Sequence, residues 1–401
     1  MMKRFLKIKN SEVVDGNDQP VIFKGVNLGG WLMMEGYILY SLNVAEQVFK
    51  KKFEKELGDA ALYAFEKSFR DNFIQERDIQ QIAQLGFNCI RLPFNCRLIE
   101  KQPFQYDPQG LVYLDRVIAW GKKYKVWIIL DLHAAIGAQN HDWHSDSLGK
   151  AELWTEKSYQ ERTFALWEFI ADRYKEEEGI AGYDLLNESV LEDTKILNSF
   201  YKKLIKRIRR IDGNHILFIE GNTWATDLNC LELFEDDNLA LSIHFYVPLE
   251  FTANLVPHLS YPFKSAKGHF TKENMKKIFV GYKKLAQKQA RPIYVGEFGV
   301  NYRQGFYGED QWLKDVLGCF KEFGFHWTYW TYKAVKNSIF PDGIFSYFPN
   351  PPWVNRQGPR LGWDNYIHTW PQYKKEMIHS WRTDSFTENT PIVQSLKNAC
   401  R

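Results

Sequence analysis

The chain has 401 residues, 45% hydrophobic and 25% charged, which is the composition of a folded globular protein and excludes disorder, collagen and coiled coil. Lys+Arg 52 against Asp+Glu 49 leave a net charge of +3, too small for bulk attraction to nucleic acid or anionic lipid. The sequence offers no uninterrupted apolar run of about 18 residues, so no membrane-spanning helix is expected.

Aromatic residues reach 16%. Such a load fills a large core, and it also suits a protein that stacks flat rings against sugars. The five cysteines, Cys89, Cys96, Cys230, Cys319 and Cys400, are odd in number and show no C-x-x-C spacing. Neither a disulfide framework nor a structural zinc site is expected. The start, MMKRFLKIKN, is basic and soon polar, without the apolar stretch of a secretory signal. A cytoplasmic location is the expectation, or secretion if a signal has been removed.

In chain order, the first β-rich apolar runs are Ile22–Leu28, Asn88–Phe94, Val126–His133 and Ile180–Glu188. His215–Gly221, Leu239–Tyr246, Pro292–Gly299 and Phe325–Tyr332 follow. Near-continuous apolar strands are what a buried parallel sheet needs. Amphipathic stretches with helical spacing lie between them. One carries Tyr159, Thr163, Leu166, Trp167, Ile170 and Tyr174; another carries Leu197, Phe200, Leu204, Ile205, Ile208 and Ile211. A third carries Ile278, Phe279, Tyr282, Leu285 and Ala286.

Eight strands alternating with helices predict an α/β chain closed as a (β/α)8 TIM barrel. A doubly wound sheet would open with a Gly-rich phosphate turn, and GVNLGGW is not G-x-G-x-x-G. A minimal barrel needs roughly 250 residues. The surplus falls after strands one (Gly29 to Asn72), three (Ala134–Glu156), six (Val247–Phe270) and eight (Lys333–Thr369). Those are βα loops on the C-terminal face, where barrel active sites are built. Val44–Arg70 reads as helical and is expected beside that face. Phe5–Val14 and Gln19–Phe23, around Asp15-Gly16-Asn17-Asp18, read as a hairpin capping the barrel bottom. Residues 1–401 are expected to form one domain with a C-terminal helical extension.

Polar residues cluster at the strand ends: Arg91 in IRLPF, His133 in DLH, Asn187-Glu188, His244 and Tyr246 in SIHFY, Glu297 in GEFG and Trp330. Each alone reads as a satisfied polar group, but their convergence on one barrel mouth points to chemistry. Glu188 and Glu297 close strands four and seven on opposite walls, and facing carboxylates suit glycosidic cleavage. Arg91 and His244, on neighbouring strands, are expected to favour the carboxylate of Glu297. The sequence places no comparable cation beside Glu188.

The ordered set RLPF, DLH, NE, HFY, GEFG and TYW resembles the family 5 glycoside hydrolases over about residues 20–335. That resemblance implies a retaining β-glycosidase without metal or cofactor. It implies Glu188 as acid/base and Glu297 as nucleophile. It further implies Asn187 on the substrate 2-hydroxyl, Arg91, His244 and Tyr246 around the nucleophile, His133 lining the cleaved subsite and Trp330 as its floor. GVNLGGWLMMEG resembles the exo-β-1,3-glucanase branch, where the glutamate after GGW, here Glu35, contacts the terminal sugar. DLHAAIGAQN, ending at Asn140, resembles the matching segment of that branch. After strand eight the likeness lapses: the branch's acidic residue after the lysine is absent from Tyr332-Lys333-Ala334-Val335-Lys336-Asn337.

The loop holding His141, Asp142, His144 and Asp146 has metal-ligand residue types, but it reads better as a polar loop lining a cleft. The basic helix Lys202–Arg210 reads as a solvated outer face rather than a nucleic-acid site. A non-catalytic carbohydrate-binding protein would keep the aromatics and lose a carboxylate, whereas both are present. The expected partner is a β-glucan polysaccharide or oligosaccharide, with no nucleic acid, no membrane and a monomeric chain. Trp31, Trp143, Trp224, Trp330, Trp353 and Trp363 fall in or beside βα loops. Several stacking floors along a cleft suit internal cutting, so the expected activity is endo hydrolysis of β-1,4 bonds, including those of β-1,3-1,4-glucan. Exo-β-1,3-glucanase and β-mannanase are the alternatives.

Overall fold

The computed structural model describes residues 5–265, 268–347 and 363–401. Eight parallel strands close a barrel: β1 (Lys24–Asn27), β2 (Cys89–Asn95), β3 (Trp127–Ala134), β4 (Ile180–Asp184), β5 (Ile216–Glu220), β6 (Leu239–Phe245), β7 (Ile293–Phe298) and β8 (His326–Tyr329). Each pairs with its neighbour in sequence, and β8 returns to β1. Strands β4 to β8 are buried along their whole length, as their unbroken apolar runs require. Gly182 makes the β4–β5 contact possible, because a Cβ there would lie 2.1 Å from the Ile216 carbonyl oxygen.

Helices α1 (Glu46–Leu57), α2 (Asp59–Phe73), α3 (Glu76–Gln84), α4 (Pro108–Tyr124), α5 (Lys157–Tyr174) and α6 (Thr194–Arg209) are followed by α7 (Lys272–Gln289), α8 (Glu309–Phe323), α9 (Trp363–Trp381) and α10 (Thr390–Cys400). Their ends follow local chemistry. Asp107 accepts the Gln109 N–H ahead of α4, whose first residue is Pro108. Gly324, with φ +68°, closes α8 in the left-handed conformation that glycine adopts without strain.

Three expectations shift. The helical stretch Val44–Arg70 is two helices, broken at Gly58 with φ +88°. The N-terminal hairpin pairs Lys7–Lys9 with Glu12–Val14 and turns at Asn10 and Ser11, both with positive φ. Asp15–Asp18 is instead a loop held by the Asp15 side chain, which accepts the N–H groups of Asn17 and Gln19. The hairpin does cap the barrel bottom, since Leu6, Val13 and Phe23 pack with Ile129, Phe218 and Tyr294. Strand β4 stops at Asp184, four residues before Glu188.

The loop after β1 carries α1 and α2, whose Phe49, Phe53, Phe65 and Phe69 form an aromatic cluster with Tyr366, Trp370 and Trp381 of α9. After β8 the chain forms a small sheet, Lys333–Val335 with Phe345–Tyr347 and Thr387–Glu388. The C-terminal α10 packs against α8.

Candidate active site

Arg91 is fully buried and joins the strand ends. Its Nη1 donates to Glu297 Oε1 at 2.8 Å and to Asn27 Oδ1 at 3.3 Å. Nε donates to Asp184 Oδ2 at 2.8 Å, and Nη2 to Asn187 Oδ1 at 2.9 Å and Glu220 Oε1 at 3.2 Å. Asp131 Oδ1 lies 3.2 Å from Nη2. One guanidinium cannot neutralise all of these carboxylates. Burial, then Glu220, pushes Asp184 well above the usual carboxylate range. Burial likewise lifts Asp131 to about 7, against the pull of Arg91.

Glu297 accepts from Arg91 on one oxygen and from the Tyr246 hydroxyl, at 2.8 Å, on the other. His244, expected beside Glu297, reaches both carboxylates and lies closer to Glu188. Its Nδ1 is 2.7 Å from Glu188 Oε1 and 3.6 Å from Glu297 Oε2. Its Nε2 lies 3.1 Å from Glu220 Oε1. A register shift in the β6–β7 ladder between Ile243 and His244 sets His244 opposite Glu297. Burial opposes a charge on His244, but Glu220 and Glu297 outweigh it and raise its pKa well above the usual value.

The expectation that no cation flanks Glu188 is overturned. His144 Nε2 lies 2.9 Å from Glu188 Oε2, so an imidazole meets each oxygen of this carboxyl. Burial works against its charge, yet the hydrogen bonds from His144 and His244 hold Glu188 well below the usual range. Glu188 has φ +47°, and its N–H donates to Glu220 Oε2 at 2.6 Å. The nearest ligand atoms of Glu188, His244 and Glu297 all lie within 4.8 Å of one another. This is the one triple of potential metal ligands among the described residues, and its atoms already meet Arg91, Tyr246, His144 and Glu220.

His133 Nδ1 is hydrogen-bonded with Asp131 Oδ2 at 2.8 Å. Burial lowers its pKa to about 3, which leaves the ring neutral, with Nε2 3.7 Å from Glu35 Oε1. Glu35 is 3% exposed, and its Oε1 has no hydrogen-bond partner among the described residues. Burial, then Glu297 and Glu188, pushes the Glu35 carboxyl well up. Trp330 stacks on His133 with ring centroids 5.3 Å apart and 7° between planes, and its Nε1 donates to the Tyr37 hydroxyl. Gly29 admits the indole, because a Cβ there would meet Trp330 at 2.8 Å.

The expected site residues therefore converge on one mouth, but two amides differ in use. Asn187 is buried, with Oδ1 on Arg91 and Nδ2 unpartnered among the described residues. Asn140 is fully buried and committed within the protein: Nδ2 donates to the Glu188 carbonyl at 2.9 Å, and Oδ1 accepts the Asp142 N–H at 2.8 Å. The polar loop does not gather its acids and histidines. His141 is exposed, Asp142 accepts from Trp224 Nε1, His144 meets Glu188, and Asp146 binds Gln47, Asn95 and Arg97.

Glu220 was missed by the sequence reading, although HILFIEG closes β5 with a carboxylate just as GEFG closes β7. His144 was read only as part of a polar loop lining the cleft or as a possible metal ligand, not as a partner of Glu188. Of the six tryptophans in or beside the βα loops, about half of them expected in the core, Trp31 is core and bonds the Arg70 carbonyl. Trp353 and the side chain of Trp363 lie outside the described residues. Trp224 is 42% exposed, at a turn where Thr223, Trp224 and Ala225 all have positive φ. Trp143 packs with Tyr37 (5.9 Å between centroids) and Phe340 (6.1 Å), and Tyr37 and Phe340 meet at 4.9 Å. These three rings join the loops after β1, β3 and β8 beside Glu35 and Trp330.

The family model described as Cellulase (glycosyl hydrolase family 5) matches residues 52–336. A β-xylosidase of Phanerodontia chrysosporium is 32% identical over 346 residues, 82% of this chain and 71% of that protein. Endoglucanase C of Acetivibrio thermocellus is 29% identical over 355 residues, 80% of this chain and 94% of that one. Among solved structures, endoglucanase Cel5A of Thermotoga maritima has a TM-score of 0.62 at 20% identity, covering 93% of this chain and 96% of its own.

Proposed function

The chain belongs to glycosyl hydrolase family 5, and we propose that it is a retaining β-glycosidase that removes sugars from the non-reducing end of short β-linked gluco- or xylo-oligosaccharides. The observation that carries this reading is the ring cluster Tyr37, Trp143 and Phe340. It ties three loops together behind the Trp330 floor. Tyr37 accepts from Trp330 Nε1, and Trp143 packs edge-on against His144, so the wall borders the floor and the pair of carboxylates. A wall there ends the site after few sugars. The likeness to a β-xylosidase supports an exo mode.

In this reading Glu297 attacks the anomeric carbon, and Arg91 and Tyr246 aim its two oxygens. Glu188 gives its proton to the glycosidic oxygen, then takes one from the water that hydrolyses the glycosyl-enzyme. Retaining enzymes hold their carboxyls about 5–5.5 Å apart and inverting ones about 6.5–9.5 Å. Oxygens of Glu188 and Glu297 within 4.8 Å support retention. The Nδ2 of Asn187, unpartnered among the described residues, suits the 2-hydroxyl of the sugar under attack. Glu35, whose carboxyl holds its proton, and His133 Nε2 offer hydrogen bonds to its remaining hydroxyls over Trp330.

Endo cleavage of β-1,4 bonds, in cellulose-type or mixed-linkage glucan, is the second reading. Trp224 favours it, as an exposed indole tied to the same loop as His144 and so standing on the acid/base side, where it would floor a further sugar. Sizing early products on cello-oligosaccharides, xylo-oligosaccharides, laminarin and barley β-glucan tests the choice. Monosaccharide as the first product, with little loss of polymer viscosity, supports the exo reading. A rapid viscosity drop with mixed oligosaccharides establishes the endo reading instead.

A further inference from the structure

His144 follows Asn140 by four residues in the loop after β3, and its Nε2 meets two groups at once. Glu188 Oε2 is 2.9 Å away and Asn140 Nδ2 is 3.1 Å away. The orientation of the Asn140 amide is set from both sides, because Oδ1 accepts a backbone N–H and Nδ2 donates to a backbone carbonyl. Its second Nδ2 hydrogen therefore faces His144 Nε2. When Nε2 carries a proton, that proton bonds Glu188 and the Asn140 N–H opposes it. When Nε2 is bare, it accepts from Asn140, and a proton on Glu188 points back at the ring.

The other carboxyl oxygen of Glu188 is held by His244. His244 is 1% exposed and His144 14%, so Oε2 is the oxygen on the more open side of the carboxyl. His144 Nδ1 has no hydrogen-bond partner among the described residues, and the side chain is 14% exposed, so the ring opens toward solvent. The groups facing the ring are Glu188 after β4, Glu297 on β7 and Asp142 on its own loop. His133 on β3 lies 6.4 Å away between ring centroids, His244 on β6 stands behind Glu188, and Trp143 packs edge-on. Burial opposes a charge on His144, but the bond and charge of Glu188, then Asp142 and Glu297, raise its pKa.

We propose that His144 and Glu188 share one proton between Nε2 and Oε2, and that His144 is a positioning residue that keeps this proton available to the acid/base at neutral pH. The inference rests on Glu188 being the acid/base. As the glycosidic oxygen arrives, the N–H bond at Nε2 breaks with its electron pair left on the ring. The proton bonds Oε2, and Asn140 fills the bared Nε2. Glu188 then protonates the leaving oxygen, which takes the electron pair of the breaking C1–O bond. The later attack of water returns a proton to Glu188 Oε2, from which it passes back to the electron pair on His144 Nε2, and both groups end the cycle as they began.

The test compares kcat/KM against pH for the intact protein, His144→Gln, His144→Ala and Glu188→Ala. Each is assayed on a dinitrophenyl β-glycoside, which needs little acid help, and on an alkyl β-glycoside, which needs it. His144→Gln should move the alkaline limb for the alkyl glycoside down by about one pH unit or more and cost about tenfold at neutral pH. The dinitrophenyl glycoside should change less than about threefold. Equal losses on both substrates with an unmoved alkaline limb would overturn the proposal. If Glu188→Ala itself hits both substrates equally, the acid/base assignment falls and the proposal with it. If Glu188→Ala discriminates and both folded His144 variants do not, the proposal alone falls. Should the variants not fold, 15N NMR of the histidines in the intact protein decides. Coupled titration of His144 with Glu188, lost in Glu188→Gln, supports the shared proton, and independent titration refutes it.

Discussion

The backbone N–H of Glu188 donates at 2.6 Å to Oε2 of Glu220, a carboxylate with no solvent exposure. The bond pins the left-handed turn that presents Glu188, while Oε1 of the same residue lies 3.1 Å from His244 Nε2. One carboxylate at the end of β5 thus fixes the backbone of one proposed catalytic residue and the charge on the imidazole beside it.

Glu220→Gln keeps an oxygen for the Glu188 N–H but removes the charge facing His244 and Arg91. Turnover should fall by about 10- to 100-fold with little change in KM, because a buried hydrogen bond between charged groups contributes about 1.5–3 kcal/mol. Steady-state kinetics checks this, with circular dichroism to confirm the fold. Turnover within about twofold of the parent would show that Glu220 is not needed.

Glu188→Ala should lose most activity on alkyl glycosides and keep glycosylation of dinitrophenyl glycosides, whose leaving group needs no proton. Azide should then speed turnover and yield the β-glycosyl azide. The product is identified by NMR, and an absence of rescue counts against the acid/base role.

Phe340→Ala removes one ring of the wall formed with Tyr37 and Trp143. The first products from cello-oligosaccharides should lengthen from monosaccharide toward disaccharide, as chromatography would show. An unchanged product pattern would mean that the wall does not limit the site.

Acid stability should depend on Glu66. Burial opposes its charge, but Lys50 and Arg70 outweigh it and bring its pKa from 4.5 down to about 2. The folded chain therefore binds this proton more weakly than the unfolded chain. The stabilisation is complete above about pH 4.5 and is lost as pH falls toward 2. Glu66→Gln should destabilise the protein by about 2 kcal/mol at neutral pH and flatten the loss between pH 4.5 and 2. Urea unfolding at several pH values measures both effects.

Much of this was legible because strand ends in a barrel share one face. IRLPF, DLH, HFY and GEFG place Arg91, His133, Tyr246 and Glu297 by strand position alone. Distances within that face were not legible. His244 is 2.7 Å from Glu188 and 3.6 Å from Glu297, a difference of less than 1 Å that residue types and spacing do not carry. The loop after β3 hid His144 because its path is set by long-range bonds, Asn140 to the Glu188 carbonyl and Asp146 to Asn95, Arg97 and Gln47. Which of the loop tryptophans would be core was not legible: the Trp31 indole is drawn inward by the Arg70 carbonyl and the edge of Tyr113. The hairpin turn was misplaced because Asp15-Gly16-Asn17-Asp18 is the stronger turn signal, while the chain turns at Asn10-Ser11.

The most direct test of the proposed double displacement is to trap its intermediate. The intact protein is incubated with a 2-deoxy-2-fluoro-β-glycosyl fluoride, and its peptides are read by mass spectrometry. The expected result is one sugar per chain, on the peptide carrying Glu297, with activity returning as the adduct turns over. An adduct on Glu188 or Glu35, or none at all together with inverted product in early NMR spectra of natural substrate, would contradict it.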